Sequence, residues 1–121
     1  MAARKKSSTT RKAAPAVLQC KYYEATLATD ASGDVTKGLE IDKQGAIDRR
    51  KNGDDVVVCG PDSTENRHEA RSIEQAASGV GNFILHQAHA NAGVNALNHY
   101  QAINPPPKGH CFYETKSQKA K

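Results

Sequence analysis

Four of the five histidines fall within 25 residues near the C-terminus: His86, His89, His99 and His110. That stretch reads ILHQAHANAGVNALNHYQAINPPPKGHCFYE. An imidazole takes up or releases a proton near neutral pH and is also a common metal ligand. The cluster is therefore where chemistry is to be sought, and two kinds of chemistry use histidine.

The first is metal binding. His86 and His89 are three apart, and His99, His110 and Cys111 follow. Zinc takes three or four nitrogen and sulfur ligands. The spacing, however, holds no CxxC, no HExxH and no tight histidine pair with partner cysteines. An extended segment 86–89 would also send its two imidazoles to opposite faces. No metal and no other cofactor is assigned.

The second is acid–base catalysis. Two histidines can serve as base and acid in cleaving a phosphodiester, while a cation or tyrosine stabilises the added negative charge. RNA needs no outside nucleophile, because its 2′-hydroxyl supplies one. His99-Tyr100 and His110-x-x-Tyr113 furnish such a set, with Lys108 or Arg67 for charge. The alternative is a non-catalytic small protein that binds nucleic acid through basic tails or has a structural His-rich loop.

These residues need elements to hold them. Residues 19–29 read as a strand, with Tyr23, Ala25 and Leu27 alternating. A turn at 30–34 leads to a short strand over 35–40, making a hairpin. Asp42 caps a helix over 43–52 that Gly53 closes. Val56-Val57-Val58-Cys59 lacks alternation and so reads as a strand buried on both faces. Asp62, with Glu65 in a capping-box pattern, starts a helix over 63–77. Asn66, Arg67 and Arg71 ride on it, the two arginines sharing a face.

Residues 83–86 form another short strand, and the crossover to it from 56–59 would be right-handed if the two strands are parallel. A short helix is expected around 92–100, then the proline loop, then a strand over 110–114. In that last strand His110, Phe112 and Glu114 share one face. His86 then sits at a strand end and reads as structural. His89 and His99 flank a loop or short helix, and His110 opens the final strand, so these three are the site candidates. The expected fold is α+β: one small domain with a short mixed sheet and two main helices.

The turn CGPDSTEN could offer an anion site at a helix N-terminus. It has neither GxGxxG nor GxxxxGK[ST], and Asp62 and Glu65 put negative charge there. An ordinary capped helix is the reading.

Charge divides the chain. Residues 1–16 hold five basic residues and no acid, and residues 115–121 hold three lysines and no acid. Both read as disordered basic tails around a domain over 17–114. The net charge of +4 thus belongs to the tails, and the domain between them is net acidic. Basic tails can hold nucleic acid through phosphate contacts. No apolar run reaches the roughly 20 residues needed to span a membrane, so no membrane partner is expected. Three widely spaced cysteines without a CxxC suit reduced thiols in a cytoplasm. Nothing in the sequence fixes the oligomeric state.

The segments DDVVVCGPDSTENRHEARSIEQAA and HANAGVNALNHYQAINPPPKGHCFYE resemble C-terminal toxin domains of bacterial polymorphic toxin systems. The resemblance spans about 54–114. It implies a small nuclease-like domain acting on RNA, with His89, His99 and His110 in the active site and Asn66 and Arg67 in support. It also implies an immunity protein as partner. The chain departs from the pattern in beginning with its own Met and showing no delivery region.

Overall fold

The computed structural model describes residues 19–88 and 92–121. The expected 1–16 tail and His89 lie outside the described residues. The elements run β1 (Lys21–Leu27), β2 (Val35–Ile41), α1 (Lys43–Lys51), β3 (Val56–Cys59), α2 (Ser63–Ser78), β4 (Phe83–His86), β5 (Asn98–Ala102) and β6 (Cys111–Tyr113). This is the expected α+β domain, with one six-stranded mixed sheet and two helices. Among the described residues no helix is long and apolar enough to cross a membrane.

The strand order is β2-β1-β3-β6-β5-β4. Only β3 and β6 pair in parallel; the other neighbours are antiparallel. The parallel neighbour of β3 is therefore β6, not β4, which lies two strands further out. The β3–α2–β4 crossover joins two strands of like direction that are not neighbours. The chain leaves α2 for the far edge and returns by an antiparallel meander.

Two apolar layers explain the three consecutive valines. On one face Val56 and Val58 pack with Ala46 of α1, Ala70 and Ile73 of α2, and Tyr100, Cys111 and Tyr113. On the other, Val57 packs with Ala25, Val35, Cys59, Leu97 and Phe112. All four residues of β3 are buried. Truncating a buried Ile73 to Ala removes packing worth about 2–5 kcal/mol.

Both helix caps form as read. Asp42 accepts from Gly45 N–H at 2.7 Å, and Asp62 accepts from Thr64 and Glu65 N–H at 2.9 and 3.1 Å. The capping box is only half made. Glu65 reaches the Gln19 N–H and Cys20 thiol instead, tying the entry of β1 to α2.

Two expectations are corrected. The helix expected around 92–100 is a loop followed by β5, because Asn98–Ala102 gains a full ladder to β4 and β6 that outweighs weak helical signals. Residues 115–121, expected as a disordered tail, are docked. Lys119 N–H donates to Val94 O, Lys121 N–H to Val35 O, and Lys37 N–H to Lys121 O. Ala120 also packs beside the second apolar layer and donates its N–H to Glu114. Backbone pairing, the Lys121–Asp34 ion pair at 2.8 Å and one methyl group anchor a segment whose composition is almost wholly polar.

Candidate active site

The sheet face away from the helices carries an open groove of about 900 Å³. His86, His99 and His110 line it, with Leu27, Leu97 and Phe112 among the apolar walls. Strand register explains the convergence. His86 stands opposite His99 across β4–β5, and His99 stands opposite Phe112 across β5–β6. His110 precedes Phe112 by two residues and so shares its face.

The rings are in contact. Those of His99 and His110 have centroids 4.8 Å apart at 86°, and those of His86 and His99 are 5.6 Å apart at 71°. Phe112 stacks on His110 at 5.2 Å and meets His99 edgewise at 5.3 Å. His86, read from sequence as structural, is therefore a groove residue.

Asp55 completes the group. It leads into β3 as His110 leads into β6, and those parallel strands pair Val56 with Cys111. The Asp55 carboxylate accepts the His110 backbone N–H at 2.7 Å and His110 Nδ1 at 3.1 Å. Burial alone would raise the Asp55 carboxyl. The hydrogen bonds and charge of His110, with the Arg50 charge behind, hold it below its ordinary value. An ionised Asp55 can only accept, so His110 Nδ1 is the donor in this contact.

His99 is set differently. Burial pushes it below the ordinary histidine value, and the neighbouring His110 adds to this. The Gln101 side chain and Leu97 backbone oppose the shift and are outweighed. His99 is thus neutral at pH 7. Its Nε2 lies 3.0 Å from Gln101 Oε1, which places the proton there. Its Nδ1 is the one buried side-chain nitrogen or oxygen among the described residues without a hydrogen-bond partner. Such an atom carries a desolvation penalty of about 1–3 kcal/mol.

The proposed substrate-binding residues do not gather here. Tyr100 and Tyr113 are buried in the layer under the helices. Arg67 is exposed on α2 and donates to the Tyr100 hydroxyl at 3.3 Å, also on the helix side. Asn66 is fully buried, donating to Gly60 O and Glu114 O and accepting from the Cys20 thiol. Lys108 is exposed just before the dyad, and its backbone oxygen is held by Arg50. Of the sequence-derived set, the structure joins His99 and His110 in the groove.

Asp55, His86 and Gln101 were missed. Asp55 had one legible signal, a carboxylate abutting a doubly buried strand. Gln101 had only its place two residues from His99 in a segment not read as a strand. Among the described residues no three His, Cys, Asp or Glu are placed to hold a metal ion.

No protein-family model matches the chain, and neither a curated protein nor a solved structure matches it. The resemblance to polymorphic-toxin domains rests on its quoted segments alone.

Proposed function

We propose that the chain is an acid–base catalyst of phosphodiester cleavage, acting on RNA through the imidazoles of the groove. The observation that supports this most is the Asp55–His110 dyad in ring contact with a neutral His99. His110 exchanges the proton with the substrate through Nε2, and Asp55 fixes its tautomer and orientation. His99 supplies the second, uncharged imidazole. The 2′-hydroxyl attacks phosphorus as His110 Nε2 takes its proton, and that proton passes from His110 to the 5′-oxygen as the P–O5′ bond breaks, leaving a 2′,3′-cyclic phosphate. Basic residues 4–12 and the docked lysines near the C-terminus give a sequence-independent hold on phosphates. Three free cysteines suit a reducing cytoplasm.

A second reading is a binding module without catalysis. The groove lining favours it in one respect: among the described residues it contains no lysine or arginine to meet a phosphate.

The two separate with the full chain and end-labelled RNA, with and without EDTA, beside His110→Ala and His99→Ala. The expected result is cleavage that persists in EDTA, leaves cyclic phosphate ends and is lost in His110→Ala. Absence of cleavage, or cleavage indifferent to both substitutions, overturns the catalytic reading. Retention of uncleaved RNA that weakens with salt supports the binding module.

A further inference from the structure

The groove is built on the sheet face opposite α1 and α2, yet its dyad is gripped from the helix side. Arg50 of α1 and Glu74 of α2 form a bidentate ion pair, Nε to Oε1 at 2.8 Å and Nη2 to Oε2 at 2.9 Å. Both side chains are fully buried. The Ser78 hydroxyl donates to the same carboxylate.

The remaining guanidinium protons go to backbone. Nη1 donates to Asp54 O at 3.0 Å and to Lys108 O at 2.6 Å, and Nη2 donates to Gly109 O at 3.3 Å. Asp54 precedes Asp55, while Lys108 and Gly109 precede His110. One planar, rigid donor fork thus ties together the two turns that deliver the dyad. Gly109 permits the approach. It has φ +89°, and a Cβ there would meet Gly53 O at 2.8 Å, Arg50 Nη1 at 2.9 Å and Asp55 Oδ1 at 3.0 Å.

A buried ion pair is weak evidence for stability as such, because desolvation offsets the attraction. Fold stability alone would be served as well by two apolar side chains. What apolar side chains cannot do is hold three carbonyls from two separate turns at fixed spacing.

We propose that Arg50, held by Glu74, is a positioning residue for the Asp55–His110 dyad. Its role is to set the two turns so that His110 Nδ1 stays on the Asp55 carboxylate. The catalytic consequence rests on the proton-transfer reading above; the geometric claim does not.

The test uses the full chain and three variants: Arg50→Lys, Glu74→Gln, and the double Arg50→Met/Glu74→Met, which removes both charges together. Nitrogen-15 and proton NMR of the imidazoles reads the His110 Nδ1–H resonance, and RNA cleavage is measured in parallel. In folded variants the expected result is loss of the hydrogen-bonded His110 Nδ1–H signal, with least change in Glu74→Gln. With it goes a kcat loss on the order of 10- to 100-fold while KM stays within about twofold, as for a misplaced catalytic group.

A folded double variant with an unchanged His110 signal overturns the proposal. Failure of all three variants to fold overturns it too, since Arg50 would then be needed for the fold as a whole. If the parent chain cleaves no RNA, the functional reading falls, and the NMR signal still decides the positional one.

Discussion

His99 and His110 stand eleven positions apart in the chain, yet their imidazoles meet at a right angle with centroids 4.8 Å apart. The contact follows from antiparallel pairing of β5 with β6, which sets His99 opposite Phe112, and from the two-residue period that puts His110 on the same face. The rings differ in surroundings. His110 has an ionised carboxylate on Nδ1, whereas His99 is held neutral by burial. Neighbouring groups in unlike environments are what division of acid and base roles requires.

Asp55→Asn tests that division. The amide can still accept the His110 backbone N–H, so the turn keeps its shape. It carries no charge, so the oxygen that serves both contacts accepts from Nδ1 more weakly and no longer stabilises the imidazolium formed when the ring takes a proton. The expected outcome is a folded protein with kcat reduced about 10²- to 10⁴-fold, the range for misdirecting a catalytic imidazole. Initial rates on labelled RNA, with circular dichroism as the folding control, check it.

The pH dependence of stability has a definite sign. His99 in the fold lies below its unfolded value of about 6.5, so the unfolded chain binds that proton more readily. The stability it contributes is complete above that value and is lost as pH falls through the lower folded value. Asp55 is also depressed in the fold, so its contribution is lost only at more acid pH, below its ordinary 3.8. Urea midpoints from pH 8 to pH 4 should fall for the parent chain and fall less for His99→Gln. Equal slopes for the two proteins would count against a neutral, buried His99.

Much of the fold was legible because it rests on local signals. The triple valine, the Asp42 and Asp62 caps and the Tyr23–Ala25–Leu27 alternation each report one element. The site was legible only as a collection of histidines. Asp55 joins it through parallel pairing of β3 with β6, which spans 55 positions and leaves no local mark. Tyr100 and Tyr113 adjoin or nearly adjoin site histidines in sequence, yet the two-residue strand period sends them to the helix side. Reading 98–102 as a strand rather than helix would have separated Tyr100 from His99. The docking of 115–121 leaves no local mark, because its anchors are long-range backbone hydrogen bonds and the Lys121–Asp34 ion pair, which composition does not reveal.

Asn66 separates stability from chemistry. Its side chain closes contacts to Gly60 O, Glu114 O and the Cys20 thiol within the helix-side layer. Asn66→Ala leaves buried carbonyls unpaired, at a cost of about 1–3 kcal/mol. Cleavage per folded molecule should be unchanged, because no Asn66 contact reaches the groove. Chemical denaturation followed by rates at matched folded concentration tells these apart. A kcat loss exceeding the loss of folded protein would return Asn66 to the site.

The C-terminal lysines pose a sharper question than a tail would. Deleting residues 116–121 removes the backbone bonds of Lys119 to Val94 and of Lys121 to Val35 and Lys37, and strips the Ala120 N–H from the buried Glu114 carboxylate. At roughly 0.5–1.5 kcal/mol for each net hydrogen bond, the loss of these four should cost about 2–6 kcal/mol. It should also loosen the 94–97 loop, whose Ala96 and Leu97 wall the groove. A truncation therefore cannot report on charge alone. Lys116→Gln, Lys119→Gln and Lys121→Gln together keep the backbone anchors and remove three positive charges, giving up only the part-exposed Lys121–Asp34 ion pair. This variant should hold its urea midpoint closer to the parent than the deletion does. It should also show a shallower salt dependence of RNA binding, since fewer counterions are released. Equal salt slopes for parent and triple variant would move the phosphate contacts to residues outside this segment.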